Sequence, residues 1–127
     1  MIQSYRDLDV YQRAMKLLPP VHTLLLQFPV YEKYELCAQM RRCSKSIPAN
    51  IAKGYSKRKF EKEFRLHLNI AMGEANEMVV HLDISRALSY IDEPTCAQLA
   101  EGYTVIGKQL FRLMSNWRTY PAATMLD

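Results

Sequence analysis

Between Lys59 and Ser89, apolar residues recur at every third or fourth position along two separate stripes of one long helix. The first stripe is Phe60, Phe64, Leu68, Ala71, Ala75, Met78 and Leu82; the second is Leu66, Ile70, Gly73, Val80, Ile84 and Leu88. That spacing matches the 3.6-residue turn and excludes a strand, whose side chains alternate faces. One apolar stripe is satisfied inside a bundle, whereas a second needs another surface to cover it. The expectation is therefore a helical domain that associates with copies of itself.

The remaining chain gives three more helical segments. Glycine is scarce, at four residues, and no stretch alternates apolar and polar positions over strand length. Segment one runs from about Asp7 to Phe28, with Leu8, Tyr11, Met15 and Leu18 on one face. Phe28-Pro29 closes it, and Pro19-Pro20 inside it predicts a kink or a split, because two donors are lost. Segment two, about Tyr34 to Lys53, places Leu36, Met40, Cys43, Ile47 and Ile51 in one stripe. Arg41, Arg42, Lys45 and Lys53 occupy the opposite arc, with the small Ala49 and Ala52 toward the same side. Pro48 predicts a kink there, and Gly54 a left-handed stop. Segment four begins near Asp92 with Pro94 in its first turn and continues to about Trp117 through Leu99, Tyr103, Ile106, Leu110 and Leu113. Short connections between four such segments predict an all-α, antiparallel up-and-down four-helix bundle over residues 1–119, with 120–127 as a loose tail.

A chain of 127 residues suits one domain, and its 49% hydrophobic content supports a core. No apolar run approaches a bilayer span and the first residues lack a signal-peptide pattern, so a cytoplasmic, non-membrane protein is expected. Cys37, Cys43 and Cys96 are odd in number, and the spacing of the first two fits neither a redox pair nor a zinc knuckle. Cys37 and Cys43 read as small core residues.

Charge is distributed unevenly. Arg41, Arg42, Lys45, Lys53, Lys57, Arg58, Lys59, Lys62 and Arg65 stand against only Glu61 and Glu63, a local net of +7 in a chain of formal charge +4. Clustered cations raise the local potential and release counterions from a polyanion, so these nine residues are the candidate contacts to RNA or DNA phosphates. The sequence holds no base-reading motif, which predicts recognition of phosphates and shape. Tyr55, beside a helix end, is a packing residue before it is a stacking platform.

Several ordered stretches resemble a known family. Tyr5-Arg6-Asp7-Leu8-Asp9-Val10-Tyr11-Gln12-Arg13-Ala14 is similar to the opening of the bacterial four-helix bundle proteins first met as products of intervening sequences in large-subunit ribosomal RNA genes. Phe28-Pro29 with Tyr34, Leu36, Gln39, Arg41 and Arg42 resembles the next block. Ser46-Ile47-Pro48-Ala49-Asn50-Ile51-Ala52 with Gly54 is the most specific, and Lys62-Glu63-Phe64 with Leu68, Ile70, Ala71, Gly73 and Glu77 continues it. The resemblance implies a ring-shaped homopentamer without enzymatic activity. Related accessory variability determinants of diversity-generating retroelements bind a reverse transcriptase and its template RNA. Lys53 in place of a usual Glu, Glu74 in place of a usual Ser, and Pro19-Pro20 set this chain apart from the ribosomal-gene pattern. Lys53 and the proline pair make it look more like the retroelement branch. The alternative is an intervening-sequence-type protein with a structural or protein-docking role.

Other chemistries find less support. Glu74, Glu77 and His81 recur at helical spacing, but a di-iron bundle needs matching acidic and Glu-x-x-His sets from other helices, which are missing. Polar contacts at a subunit interface are expected for these three, and His22 and His67 have no evident partners. There is no Gly-rich phosphate loop or nucleophile elbow. Cys43, next to Arg42 and close to Lys45, sits in the apolar stripe and reads as an inert thiol. No enzyme, cofactor or metal is expected.

Overall fold

The computed structural model describes residues 2–117; the expected tail at 120–127 lies outside them. Four helices, α1 (Asp9–Leu25), α2 (Leu36–Ser56), α3 (Glu61–Ala87) and α4 (Glu93–Ser115), account for most of the described chain. One-turn 3-10 segments at Tyr5–Asp7 and Val30–Glu32 precede α1 and α2. No strand occurs among the described residues.

Local chemistry sets the boundaries. Ser4 and Asp7 form a reciprocal capping box on the first turn, and the two backbone N–H groups that Asp7 accepts, from Gln3 and Ser4, hold its carboxyl below the ordinary range. Asp92 caps α4 by accepting from the Thr95 N–H at 2.8 Å, with Pro94 in the first turn as expected. Between α3 and α4 the chain turns through Ser89, whose φ of 63° makes it a non-glycine left-handed residue, and the Tyr90 N–H bonds back to the Ser85 carbonyl.

The core holds the first stripe of α3 from Phe64 to Leu82, the α2 stripe from Leu36 to Ile51, and Leu99, Tyr103, Ile106 and Leu110 of α4. Burying each large apolar side chain contributes about 1.5–3 kcal/mol, and α3 lies at the centre of that burial, against both α2 and α4. Helix α1 closes the bundle by packing on α2 and α4.

Four local expectations are corrected. Helix α1 buries Val10, Ala14, Val21 and Leu25, whereas Met15 is exposed and Tyr11 and Leu18 are half-buried. The apolar residues of segment one surround the helix too evenly for spacing alone to set its rotation. Of the kink or split expected at Pro19-Pro20 the split does not occur, since α1 runs through the pair, and α2 likewise runs through the buried Pro48. Packing of Val21 and Leu25 on one side, and of Ile47 and Ile51 on the other, carries each helix across its missing donors. Phe60 lies exposed at the α3 N-cap and not in the core.

Gly54 is the fourth. No glycine has positive φ, and α2 continues past it to Ser56. Its role is close approach: a Cβ here would lie 3.0 Å from Leu68 Cδ2 and 3.4 Å from His67 Cβ. The absent side chain lets α2 and α3 meet. Gly54→Val is expected to destabilise the protein by about 1–3 kcal/mol through overpacking, read from a lower urea midpoint at unchanged slope.

Candidate nucleic-acid interface

The nine basic residues divide once the helices are placed. Arg42, Lys45 and Lys53 are exposed on the outward arc of α2, around the exposed Ala49. The eleven helical steps from Arg42 to Lys53 span about 16 Å. None of the three is in an ion pair among the described residues. Lys59 and Lys62 are also exposed, with Lys62 in the first turn of α3, where the helix dipole adds positive potential.

The other four are engaged in the fold. Arg58 is buried: its guanidinium stacks 4.1 Å from the Tyr55 ring centroid and its Nη1 donates to the Tyr55 carbonyl. Trp117 Nε1 donates to the Arg58 carbonyl at 3.2 Å, tying the chain after α4 to the α2–α3 connection. Arg65 Nη2 donates to the Met114 carbonyl at 3.0 Å in the last turn of α4, and its Nε lies 3.4 Å from Glu61. Arg41 Nη2 donates to the Lys33 carbonyl at 2.8 Å, fixing the turn before α2. Lys57 stands 3.9 Å from Glu63, both about half exposed, a pair of small energetic weight. Arg58, Arg65 and Arg41 are thus removed from the free cationic face: the same side chains that supply charge also reach backbone carbonyls near helix ends, and one-dimensional spacing does not separate the two uses.

Both histidines without evident sequence partners acquire them. His22 Nε2 lies 3.1 Å from Ser44 Oγ, and the Ser44 hydroxyl donates onward to the Arg41 carbonyl, so the imidazole is the donor to serine. His67 Nδ1 donates to Asn50 Oδ1 at 3.3 Å, while Asn50 Nδ2 donates to the Ser46 carbonyl and hydroxyl. Asn50 and Ser46 of the Ser46–Ala52 motif are therefore a polar clasp between α2 and α3. Tyr55 packs, as expected.

Burial, then the charges of Lys45 and Arg41, hold the His22 pKa below its usual 6.5. The unfolded chain binds the His22 proton more readily, so this contribution to stability is complete above pH 6.5 and declines as pH falls through that value. Stability is expected to fall between about pH 7 and pH 5 by more than in His22→Gln, measured as urea midpoints across that range.

The second stripe of α3 is open: Leu66, Ile70, Val80, Ile84 and Leu88 are each 40–54% exposed. Beside it, a groove of about 560 Å³ between α3 and α4 is lined by Met72, Asn76, Gly107, Lys108 and the exposed Phe111. No helix among the described residues is long and apolar enough to cross a membrane.

Fold and surface together define an all-helical, four-helix bundle with one cationic outer face and one uncovered apolar face. Residues 6–112 match the profile of the 23S rRNA-intervening sequence protein family, and the chain belongs to that family. Its fold is similar to the crystal structure of a protein of unknown function from the S23 ribosomal protein family of Bacteroides thetaiotaomicron VPI-5482, with a TM-score of 0.75 at 24% identity, over 84% of this chain and 95% of that one. No curated protein matches the chain.

Proposed function

We propose that this protein is a non-catalytic, homopentameric accessory factor that grips RNA or DNA through phosphates, and that its protein partner is the reverse transcriptase of a diversity-generating retroelement. The carrying observation is the outward row Arg42, Lys45 and Lys53, exposed and without ion-pair partners among the described residues. Lys59 and Lys62 extend it. Ring symmetry repeats this face five times, so weak single contacts sum to avid binding. The retroelement assignment rests on the resemblance at Lys53, since the first helix is continuous through Pro19-Pro20.

An antiparallel course of the helices is supported by the contacts at both ends of the α2–α3 seam: Gly54 faces Leu68, and Met40 Sδ accepts from Ser85 Oγ at 3.8 Å. The exposed α3 stripe is the surface on which neighbouring protomers meet. Placing two charges there, as Ile70→Glu with Ile84→Glu, is expected to reduce the pentamer to monomers of 14.8 kDa in light scattering while helicity is retained. A pentameric mass for that folded variant would remove α3 from the interface.

A second reading keeps the ring and gives the cationic face an acidic protein partner, consistent with an intervening-sequence-type protein. A salt series separates the two. Tight binding of a structured RNA that weakens steeply as salt rises, together with its loss in Arg42→Glu/Lys45→Glu/Lys53→Glu at intact oligomeric mass, is the expected result. Binding should raise the His22 titration toward its ordinary value, as phosphates offset Lys45 and Arg41. Unchanged RNA affinity in the triple variant would overturn the nucleic-acid role.

A further inference from the structure

Where α2 crosses α3, Cys43, Glu74 and Glu77 bring a sulfur and two carboxylate oxygens within 4.8 Å of one another. Cys43 is fully buried, with Sγ 3.1 Å from the Glu74 carbonyl. Two carboxylates converging on a closed-in thiol form an anionic cluster whose charge a cation between them balances.

The surroundings point the same way through two polar atoms that have no partner. His81 Nδ1 and the Tyr103 hydroxyl are buried and unbonded, on side chains 7% and 1% exposed. The Tyr103 hydroxyl comes from α4 and is an electrostatic neighbour of the Cys43 thiol. His81 Nε2 is 3.1 Å from Glu77 Oε2, the arrangement by which an imidazole orients a carboxylate ligand. Buried polar atoms without partners are rare in a finished core, and the Tyr103 hydroxyl near the thiol marks a place where a further polar or charged group fits.

We propose that Cys43, Glu74 and Glu77 form a mononuclear Zn²⁺ site, with His81 positioning Glu77 and the Tyr103 hydroxyl donating to the thiolate. One thiolate and two carboxylates suit zinc, which accepts mixed sulfur and oxygen ligands, and leave its fourth position to water. The thiolate disfavours Ca²⁺ and Mg²⁺. On loading, the S–H bond breaks, the S–Zn bond forms, and the proton leaves to solvent without any change in oxidation state. The Glu77 side chain, 43% exposed, gives the ion its way in. The site joins α2 to α3 directly behind Arg42 and Lys45, so occupancy stabilises the helix that carries the cationic row. It stands independently of the nucleic-acid reading. Sequence spacing revealed only the α3 half, because Cys43 belongs equally to the apolar stripe of α2.

The test uses the full-length, reduced, metal-free protein titrated with Co²⁺ and then Zn²⁺. The expected result is one equivalent of Co²⁺ with a near-ultraviolet thiolate-to-cobalt charge-transfer band, displaced by one equivalent of Zn²⁺. Cys43→Ser should abolish the band, while Cys37→Ser and Cys96→Ser retain it. His81→Gln should weaken Zn²⁺ binding by about 10–100-fold. If Cys43→Ser does not keep its helicity, Glu74→Gln/Glu77→Gln, at part-exposed positions, must lose the stoichiometric site. No charge-transfer band in the native protein, or a band that survives in folded Cys43→Ser, overturns the proposal.

Discussion

The close seam between α2 and α3 organises this protein. Gly54 without a side chain, Leu68 and His67 opposite it, and the Asn50–His67 hydrogen bond let two helix backbones approach at one end. Met40 and Ser85 meet at the other, and Cys43 reaches the Glu74 carbonyl between them. Helix pairs that close leave no room for slippage, because one added methyl group already reaches its neighbour. The opposite arc of α2 is consequently held outward, and with it Arg42, Lys45 and Lys53.

A second device anchors the ends. Arg58, Arg65 and Trp117 knit the α2–α3 connection to the last turn of α4 by hydrogen bonds to backbone carbonyls. At the other end, Tyr90 donates to the buried Glu32 carboxylate at 2.8 Å and lies 3.1 Å from the Tyr31 hydroxyl, linking the turn before α2 to the turn before α4. The bundle thereby spends part of its cationic run on its own closure, and only the remainder faces solvent. Two kinds of surface are left over, cationic on α2 and apolar on α3, and they suit different partners: polyanions on the first and protein on the second.

The family and the helical class were legible before any coordinates. The ordered motifs from Tyr5 to Glu77 agree with the matched region, and the inner stripes of α2, α3 and α4 are in the core with few exceptions. The rotation of α1 was not legible, since its apolar residues are spread around the axis. Gly54 was misread as a stop, and the split allowed at Pro19-Pro20 does not occur, for one reason: local propensity favours a break, while burial of the residues beyond each site holds the helix together. Half of the candidate site behaved likewise. Arg58 and Arg65 look cationic in the sequence, yet the Arg58 guanidinium is committed to the ring and carbonyl of Tyr55 and that of Arg65 to the distant Met114 carbonyl.

What the sequence determined by itself is periodic and local: four helices, the inner apolar stripes of α2 to α4, a second unpaired stripe on α3, and a charge excess between Arg41 and Arg65. Those properties follow from spacing along one chain. Which cations stay free, which histidines find partners, and that Cys43 meets Glu74 and Glu77 with Tyr103 close by were decided only by the tertiary structure. Each depends on the rotation and separation of helices relative to one another, which packing fixes and helical periodicity leaves undetermined.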